Sequence, residues 1–419
     1  MENIITTIRK IENNQIIDLC LDFDIDVKSM KHLIEVIKAN RIYKLSLKCD
    51  INADSMKHLS DAIQYNEMIL KLCLESDINV DSMRYLSKAI KYNRRIECLY
   101  IKHDVNADSM KHLADAIKYN EMIFKLYLES DINVESMKYL SKAIKCSRRI
   151  ECLYIKHDIN TDSMKHLADA IKYNRMIWKL YLESDINVES MKYLSEAVLD
   201  NQMIESLHLN SNMDAESMKH LTDAIKNNKI IQELYLKCNM NVESMKHLSE
   251  AIKCNKKINK LTLKSDIDAE SMEHLSDAIK VNQIIDRLTL KSDTNIKSMK
   301  YLSKRLKYNQ TISKLILIDI SAKSMKYLSS AIKYNTSLRY LGCTTNNNTS
   351  IKYLSNAIKY NTSIGYLYLH HINANDGSMK YLIESLEFNK TIKIFEKDYQ
   401  KIYPNQRMIN YLDNLLGKN

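Results

Sequence analysis

The chain of 419 residues carries 4 glycines, 1 proline and 9 cysteines, with 62 basic against 52 acidic residues and a formal net charge of +10. Average usage would supply roughly 29 glycines and 21 prolines, yet residues 1–341 contain neither. Phosphate loops, dinucleotide fingerprints and nucleophile-elbow hydrolases are therefore excluded over the first four-fifths of the chain, since each needs glycine where backbone approaches a ligand or turns sharply.

In chain order, residues 2–13 read as a lone first helix, because Asn14 falls on the asparagine beat that closes each later helix. A repeat then runs almost to the end. Ser-Met recurs with Met30, Met56, Met83, Met110, Met137, Met164, Met191, Met218, Met245, Met272, Met299, Met325 and Met379, and Ile351 fills the missing beat. The spacing is 27, with three steps of 26 and one of 28, which makes fourteen units. Within a unit two periods alternate. Leu126 and Leu128 flank Tyr127, which predicts a short strand with both leucines inward. Met137, Leu140, Ala143 and Ile144 then fall on one helix face. Asn133 is placed to cap that helix, with Glu135 in its first turn, and Asn52, Asn79, Asn106, Asn160, Asn187, Asp214, Asn241 and Asp268 hold the same position. Nearly every helix stops at asparagine: Asn40, Asn66, Asn93, Asn120, Asn174, Asn201, Asn228, Asn255, Asn282, Asn309, Asn335, Asn361 and Asn389. With glycine absent, these asparagines are expected to take the left-handed conformation that commonly ends a helix. The last stretch, 396–419, breaks the pattern and is expected to form a helical cap.

A strand and a helix every 27 residues, always in the same sense, define an α/β solenoid with a parallel sheet. The pattern I-x-x-L-x-L-x-x-D-I-N, as in Ile123, Leu126, Leu128, Asp131, Ile132 and Asn133, resembles the leucine-rich repeat family in its ribonuclease-inhibitor-like class. The likeness covers essentially the whole chain. It implies a horseshoe with the sheet on the concave face and helices on the convex face, spanning 15–395 between an N-terminal capping helix at 1–14 and the C-terminal cap. Two departures stand out: Asp104, Asp131, Asp158 and Asp185 replace the family's asparagine after the strand, and Ser-Met stands where the family favours Gly-Ala.

The resemblance further implies that binding uses the strand side chains facing out of the horseshoe. Their central column reads Tyr100, Tyr127, Tyr154, Tyr181, His208 and Tyr235, then Thr262, Thr289 and Ile316, with Phe124 and Trp178 beside it. These aromatics suit interface anchors, and they equally suit a ladder that stacks on itself. Lys48, Glu75, Lys102, Glu129, Lys156 and Glu183 alternate in sign on successive strands and read as a self-satisfying ion ladder. The alternation makes a pair of units, 54 residues, the true repeat. Beyond residue 235 it gives way to a basic stripe, Lys237, Lys260, Lys264, Arg287, Lys291 and Lys314, opposed by Glu233 and Asp286 only and without aromatic residues after Tyr235. The net charge as a whole reads as modest and spread along the chain on solvated helix faces.

Nothing else rises to chemistry. His32, His58, His112, His166, His220, His247 and His274 share one helical position with Tyr85, Tyr139 and Tyr193, which marks that position as structural. His103 and His157 lie two units apart, and so do Cys98 and Cys152. Cys73 and Cys98 fall on adjacent strands but lack the further ligands a zinc site needs. The odd number of cysteines and the absence of CxxC read as free thiols in a reducing compartment. No apolar run reaches the ~18 residues of a spanning helix, and no signal peptide opens the chain. The cytoplasm is the expected location, or a host's cytoplasm for a viral or bacterial source; the Lys-, Asn- and Ile-rich composition suits an AT-rich genome. The sequence thus predicts a non-enzymatic, cofactor-free monomer that binds a protein on the aromatic column. The alternative is a nucleic-acid or other polyanion binder using the basic stripe.

Overall fold

Each Leu-x-Leu pair forms a strand of four or five residues, and each Ser-Met segment a helix, 13 residues long in most units. The computed structural model describes residues 4–13, 17–22, 27–39, 41–291, 296–344, 348–370 and 376–398. The chain divides into two units, residues 1–211 and 212–419.

The first unit opens with α1 (Ile4–Glu12), in the stretch expected to be a lone helix, followed by β1 (Asp18–Leu21) and α2 (Val27–Ala39). Next come β2 (Lys44–Leu47), α3 (Ala53–Tyr65), β3 (Lys71–Leu74), α4 (Val80–Tyr92), β4 (Cys98–Ile101) and α5 (Ala107–Tyr119). It ends with β5 (Lys125–Leu128), α6 (Val134–Cys146), β6 (Cys152–Lys156), α7 (Thr161–Tyr173), β7 (Lys179–Glu183), α8 (Val188–Asp200) and β8 (Ser206–Asn210). The strands pair in parallel and in chain order, in the register Leu99↔Leu126↔Leu153↔Leu180.

The second unit holds α9 (Ala215–Asn227), β9 (Glu233–Lys237), α10 (Val242–Cys254), β10 (Lys260–Leu263), α11 (Ala269–Val281) and β11 (Arg287–Lys291). There follow α12 (Ile296–Leu306), β12 (Lys314–Ile318), α13 (Ala322–Tyr334), β13 (Tyr340–Thr344), α14 (Asn348–Tyr360), β14 (Tyr366–His370), α15 (Asp376–Phe388) and β15 (Ile394–Asp398). Its strands too are parallel and sequential. Of the helical cap expected at 396–419, residues 396–398 close strand β15 and the remainder lies outside the described residues.

Each unit is thus a leucine-rich-repeat type α/β stack, with strands forming one layer and helices the other. The core lies between the layers. Leu126, Leu128, Met137, Leu140 and Ile144 are fully buried, as are their counterparts in neighbouring repeats. The predicted caps form as expected: Asn133 accepts from the Ser136 amide at 2.8 Å, and Asn52, Asn79, Asn106, Asn160, Asn187, Asp214, Asn241 and Asp268 do the same for their helices.

The helix stops differ from expectation. The terminal asparagines are extended, with Asn93 at φ −67°, ψ 133°, and not left-handed. Among the described residues only Asp319 has a positive φ outside glycine. The reason lies in hydrogen bonding rather than turn strain. Asn93 is buried, and its Oδ1 accepts from the amides of Arg95 and Ile96 at 2.7 and 2.8 Å. Its Nδ2 donates to the carbonyls of Ile63 at 2.6 Å and Asn66 at 3.2 Å in the preceding repeat. The whole side-chain amide is used, and four backbone groups that the turn would strand are satisfied. The same arrangement recurs at Asn120, Asn174, Asn255, Asn282, Asn361 and Asn389. A chain built on this ladder needs no glycine to leave its helices. Gly342 answers a different need. It sits in mid-strand, where a Cβ would stand 3.2 Å from Ile316 Cγ1 and 3.3 Å from Tyr340 Cε1.

Candidate functional site

The side chains between the inward leucines form a continuous aromatic column on the sheet face of the first unit. Parallel in-register pairing sets Tyr100, Tyr127, Tyr154, Tyr181 and His208 side by side. Tyr100 and Tyr127 stack at 4.2 Å and 7° between planes, whereas Tyr127–Tyr154 and Tyr154–Tyr181 open to 5.6 and 6.2 Å with tilted rings. Tyr181 closes on His208 at 4.2 Å. One end stacks on itself, the other closes with tilted rings, and the middle is spread apart.

The spread part of the column borders a pocket. Just before each strand, the hydrogen-bonded ladder continues through Phe124, Glu151 and Trp178. The next column reads Lys125, Cys152 and Lys179. The central strand β6 thus offers the short Cys152 between two lysines, leaving a pocket of about 320 Å³ lined by Phe124, Lys125, Tyr127, Glu151, Cys152, Tyr154, Trp178, Lys179 and Tyr181. Trp178, 37% exposed, donates its indole N–H to Glu151 Oε2 at 3.2 Å, which fixes the ring as a wall. Lys179 lies over that indole at 4.2 Å and Lys125 over the Phe124 ring at 5.1 Å. Tyr154 donates to Glu183 Oε2 at 3.1 Å. Partial burial, then that carboxylate, push the Tyr154 phenol up to about 12, and burial raises Tyr127 as well. The Tyr127 and Tyr154 phenols are therefore neutral donors near pH 7. Burial likewise raises the Cys152 thiol, which makes it an inert floor rather than a nucleophile.

Of the residues singled out from the sequence, Phe124, Tyr127, Tyr154, Trp178 and Tyr181 meet at this pocket. Tyr100 stands outside its lining and supports Tyr127 by stacking. Tyr235 belongs to the second unit, where Lys264 lies over its ring at 5.5 Å. Sequence reasoning missed Lys125, Glu151, Cys152 and Lys179, although the 54-residue alternation places two bulky residues and two lysines on either side of a short one.

The ion ladder forms in pairs, Lys48–Glu75 at 3.5 Å, Lys102–Glu129 at 3.9 Å and Lys156–Glu183 at 3.7 Å. The basic stripe is less bare than expected. Lys260 pairs with Glu233 at 2.5 Å and Arg287 with Asp286 at 3.6 Å, and Asp266, not counted among its opponents, reaches Lys291 at 3.9 Å. Lys237 is exposed at the end of β9. Nor does the stripe run out of aromatics. Lys314 lies 3.9 Å over Tyr340, which stacks on Tyr366 at 4.5 Å. Burial, then Arg287 and Lys260, lower the Lys314 ammonium.

His103 and His157 are buried, each with Nδ1 beside the next residue's carbonyl, at 2.9 and 3.1 Å. All nine cysteines are free thiols. Among the described residues no group of three or more His, Cys, Asp or Glu is placed to hold a metal ion, and no helix is long and apolar enough to cross a membrane.

No protein-family model matches the chain, and no curated protein matches it. Among solved structures it is similar to a chain of the Rad7 and Elc1 complex in yeast, at 13% identity and a TM-score of 0.39, over 95% of this chain and 84% of that one. A likeness at that score carries no argument about function.

Proposed function

We propose that the protein is a non-enzymatic interaction scaffold, built on leucine-rich repeats of the ribonuclease-inhibitor-like class, that works as a cytoplasmic monomer and binds a protein partner on its sheet face. The observation that carries this reading is the aromatic pocket between β5 and β7. Its walls are fixed by hydrogen bonds and stacking before any partner arrives, so little rotamer freedom remains to be lost on binding. Its volume suits one large side chain, and Tyr and Trp walls are the residues that dominate interface energetics. The two ammonium groups at its mouth favour an anchor with an acidic neighbour. The stripe at 237–314 supports polyanion binding less well, since Glu233, Asp266 and Asp286 offset three of its six cations.

The test is affinity purification from the native host with wild-type chain, a Tyr154→Ala/Trp178→Ala variant and a helix-side control, Tyr92→Ala. Loss of about 2 kcal/mol or more in binding is expected for the pocket variant, with the control unchanged. A captured protein whose recovery ignores Tyr154 and Trp178 overturns the reading.

A further inference from the structure

The net charge of the chain is not spread along it. Residues 296–370 hold twelve lysines and arginines and a single carboxylate, Asp319, a surplus of +11 where the whole protein carries +10. This segment supplies helices α12 to α14, and the surplus coincides with a change in how their ends are built.

The last residue of many helices, just before the buried asparagine, is an exposed aromatic with lysine preceding it. In the first unit Lys91, Lys145 and Lys172 at that place are neutralised, whereas Lys118, 4.7 Å from the Tyr119 ring, pairs with no carboxylate among the described residues. Lys91 lies 4.4 Å over Tyr119 and pairs with Asp115 at 2.9 Å; Lys145 lies 4.3 Å over Tyr173 and pairs with Asp169 at 2.9 Å. In α12 to α15 the lysine–aromatic geometry is kept. Lys307 lies 5.2 Å from the Tyr308 ring and 4.7 Å from Tyr334; Lys333 lies 5.5 Å from Tyr334 and 4.4 Å from Tyr360. Lys359 lies 5.8 Å from Tyr360 and 5.1 Å from Phe388. The acids are gone from α13 and α14. The positions matching Asp115 and Asp169 are Ser330 for Lys307 and Asn356 for Lys333, both exposed, and Glu384 for Lys359, and none of these three lysines pairs with a carboxylate among the described residues. The acidic column breaks off at Asp277, which takes Arg305 at 2.7 Å, and returns only at Glu384.

The result is a row in which rings and ammonium groups alternate: Tyr308, Lys307, Tyr334, Lys333, Tyr360, Lys359, Phe388. Tyr308 is 74% exposed, Tyr334 54% and Tyr360 46%. Cations that track a phosphate backbone, interleaved with open aromatic faces, are the elements of single-strand recognition. A duplex keeps its base faces stacked away from such rings. A membrane-binding face would carry aliphatic residues, whereas Ile296 is the one exposed large aliphatic side chain among the described residues of α12 to α15.

We propose that the helix face formed by α12 to α15 binds single-stranded nucleic acid, with Lys307, Lys333 and Lys359 on phosphates and Tyr308, Tyr334 and Tyr360 stacking bases. This surface is separate from the sheet-face stripe and from the aromatic pocket. The test is fluorescence anisotropy of the full chain with a labelled oligouridylate of about 20 nucleotides, longer than the ~4–16 nucleotides a single-strand site covers. Binding is expected to weaken steeply with salt. It should fall about tenfold for each ring removed in Tyr334→Ala and Tyr360→Ala. A Ser330→Asp/Asn356→Asp variant, which restores the first unit's exposed acids without touching the core, should abolish it. Tyr92→Ala and Lys264→Ser should leave it intact. No binding, equal binding to a duplex of the same length, or preference for phosphatidylserine-containing vesicles over the oligonucleotide each overturns the proposal.

Discussion

At the scale of single residues, the buried asparagines decide whether the repeat closes. Asn93→Ala removes two donors and one doubly used acceptor from a site 2% exposed. With about 1–3 kcal/mol for each buried group left unpaired, a loss of at least about 3 kcal/mol is expected, measured by denaturant unfolding. The converse holds at Ser147, which replaces asparagine at the end of α6. Its hydroxyl accepts from Arg149 and Ile150 at 3.3 and 3.4 Å but has no amide nitrogen for the cross-repeat bonds. Ser147→Asn should stabilise by about 1 kcal/mol. The asparagine beat was plain in the sequence, but its role was not. Period and residue type mark where a helix stops, whereas the carbonyls that make asparagine necessary belong to a repeat about 27–30 residues away and appear only once repeats are stacked.

At the scale of elements, strand and helix positions, inward faces and N-caps were all legible, because each follows from a local period or a local side-chain-to-backbone bond. Asn133→Ala is accordingly expected to cost α6 about 1 kcal/mol, read as a lower melting temperature. The pocket was half legible. Its tyrosines and tryptophan lie in columns that any parallel in-register stack must form. Its opening depends on ring tilts and on the short Cys152, which the column rule treats as one more substitution. The segments leaving β4 and β6 carry a separate liability. Burial holds His103 and His157 below the usual imidazole range, outweighing the hydrogen bonds they donate to the Asp104 and Asp158 carbonyls, which raise them. A depressed folded-state pKa adds stability that is present above the unfolded value of about 6.5 and lost as pH falls through the folded value. Between about pH 7 and pH 5 the melting temperature should drop, and a His103→Gln/His157→Gln variant should flatten that dependence.

At the scale of the molecule, the repeat governs how perturbation travels. Within each unit every helix packs on the helices before and after it, every strand on its two sequence neighbours, and no described element reaches past them. Stability in such a stack is a sum of intrinsic and nearest-neighbour terms. This also explains why charge can be segregated without harming the fold. The helix ends of α12 to α14 lose their acids while the buried leucines Leu302, Leu328 and Leu354 beneath them are kept and Ile351 takes the methionine place in α14, so an exposed surface can be altered one repeat at a time. The same independence has a measurable consequence in the core. Leu126, fully buried on β5, contacts the layer beneath one strand, and Leu126→Ala should destabilise that repeat by about 2–5 kcal/mol through lost burial and the cavity left behind. In a nearest-neighbour stack the loss is borne locally. Hydrogen exchange followed by mass spectrometry should speed up in β4 to β6 and helices α5 to α7, while β1, β2 and β8 of the same unit exchange at the wild-type rate. Uniform acceleration across β1 to β8 would instead mean that the unit opens as a single cooperative block, and the additive picture of its repeats would have to be given up.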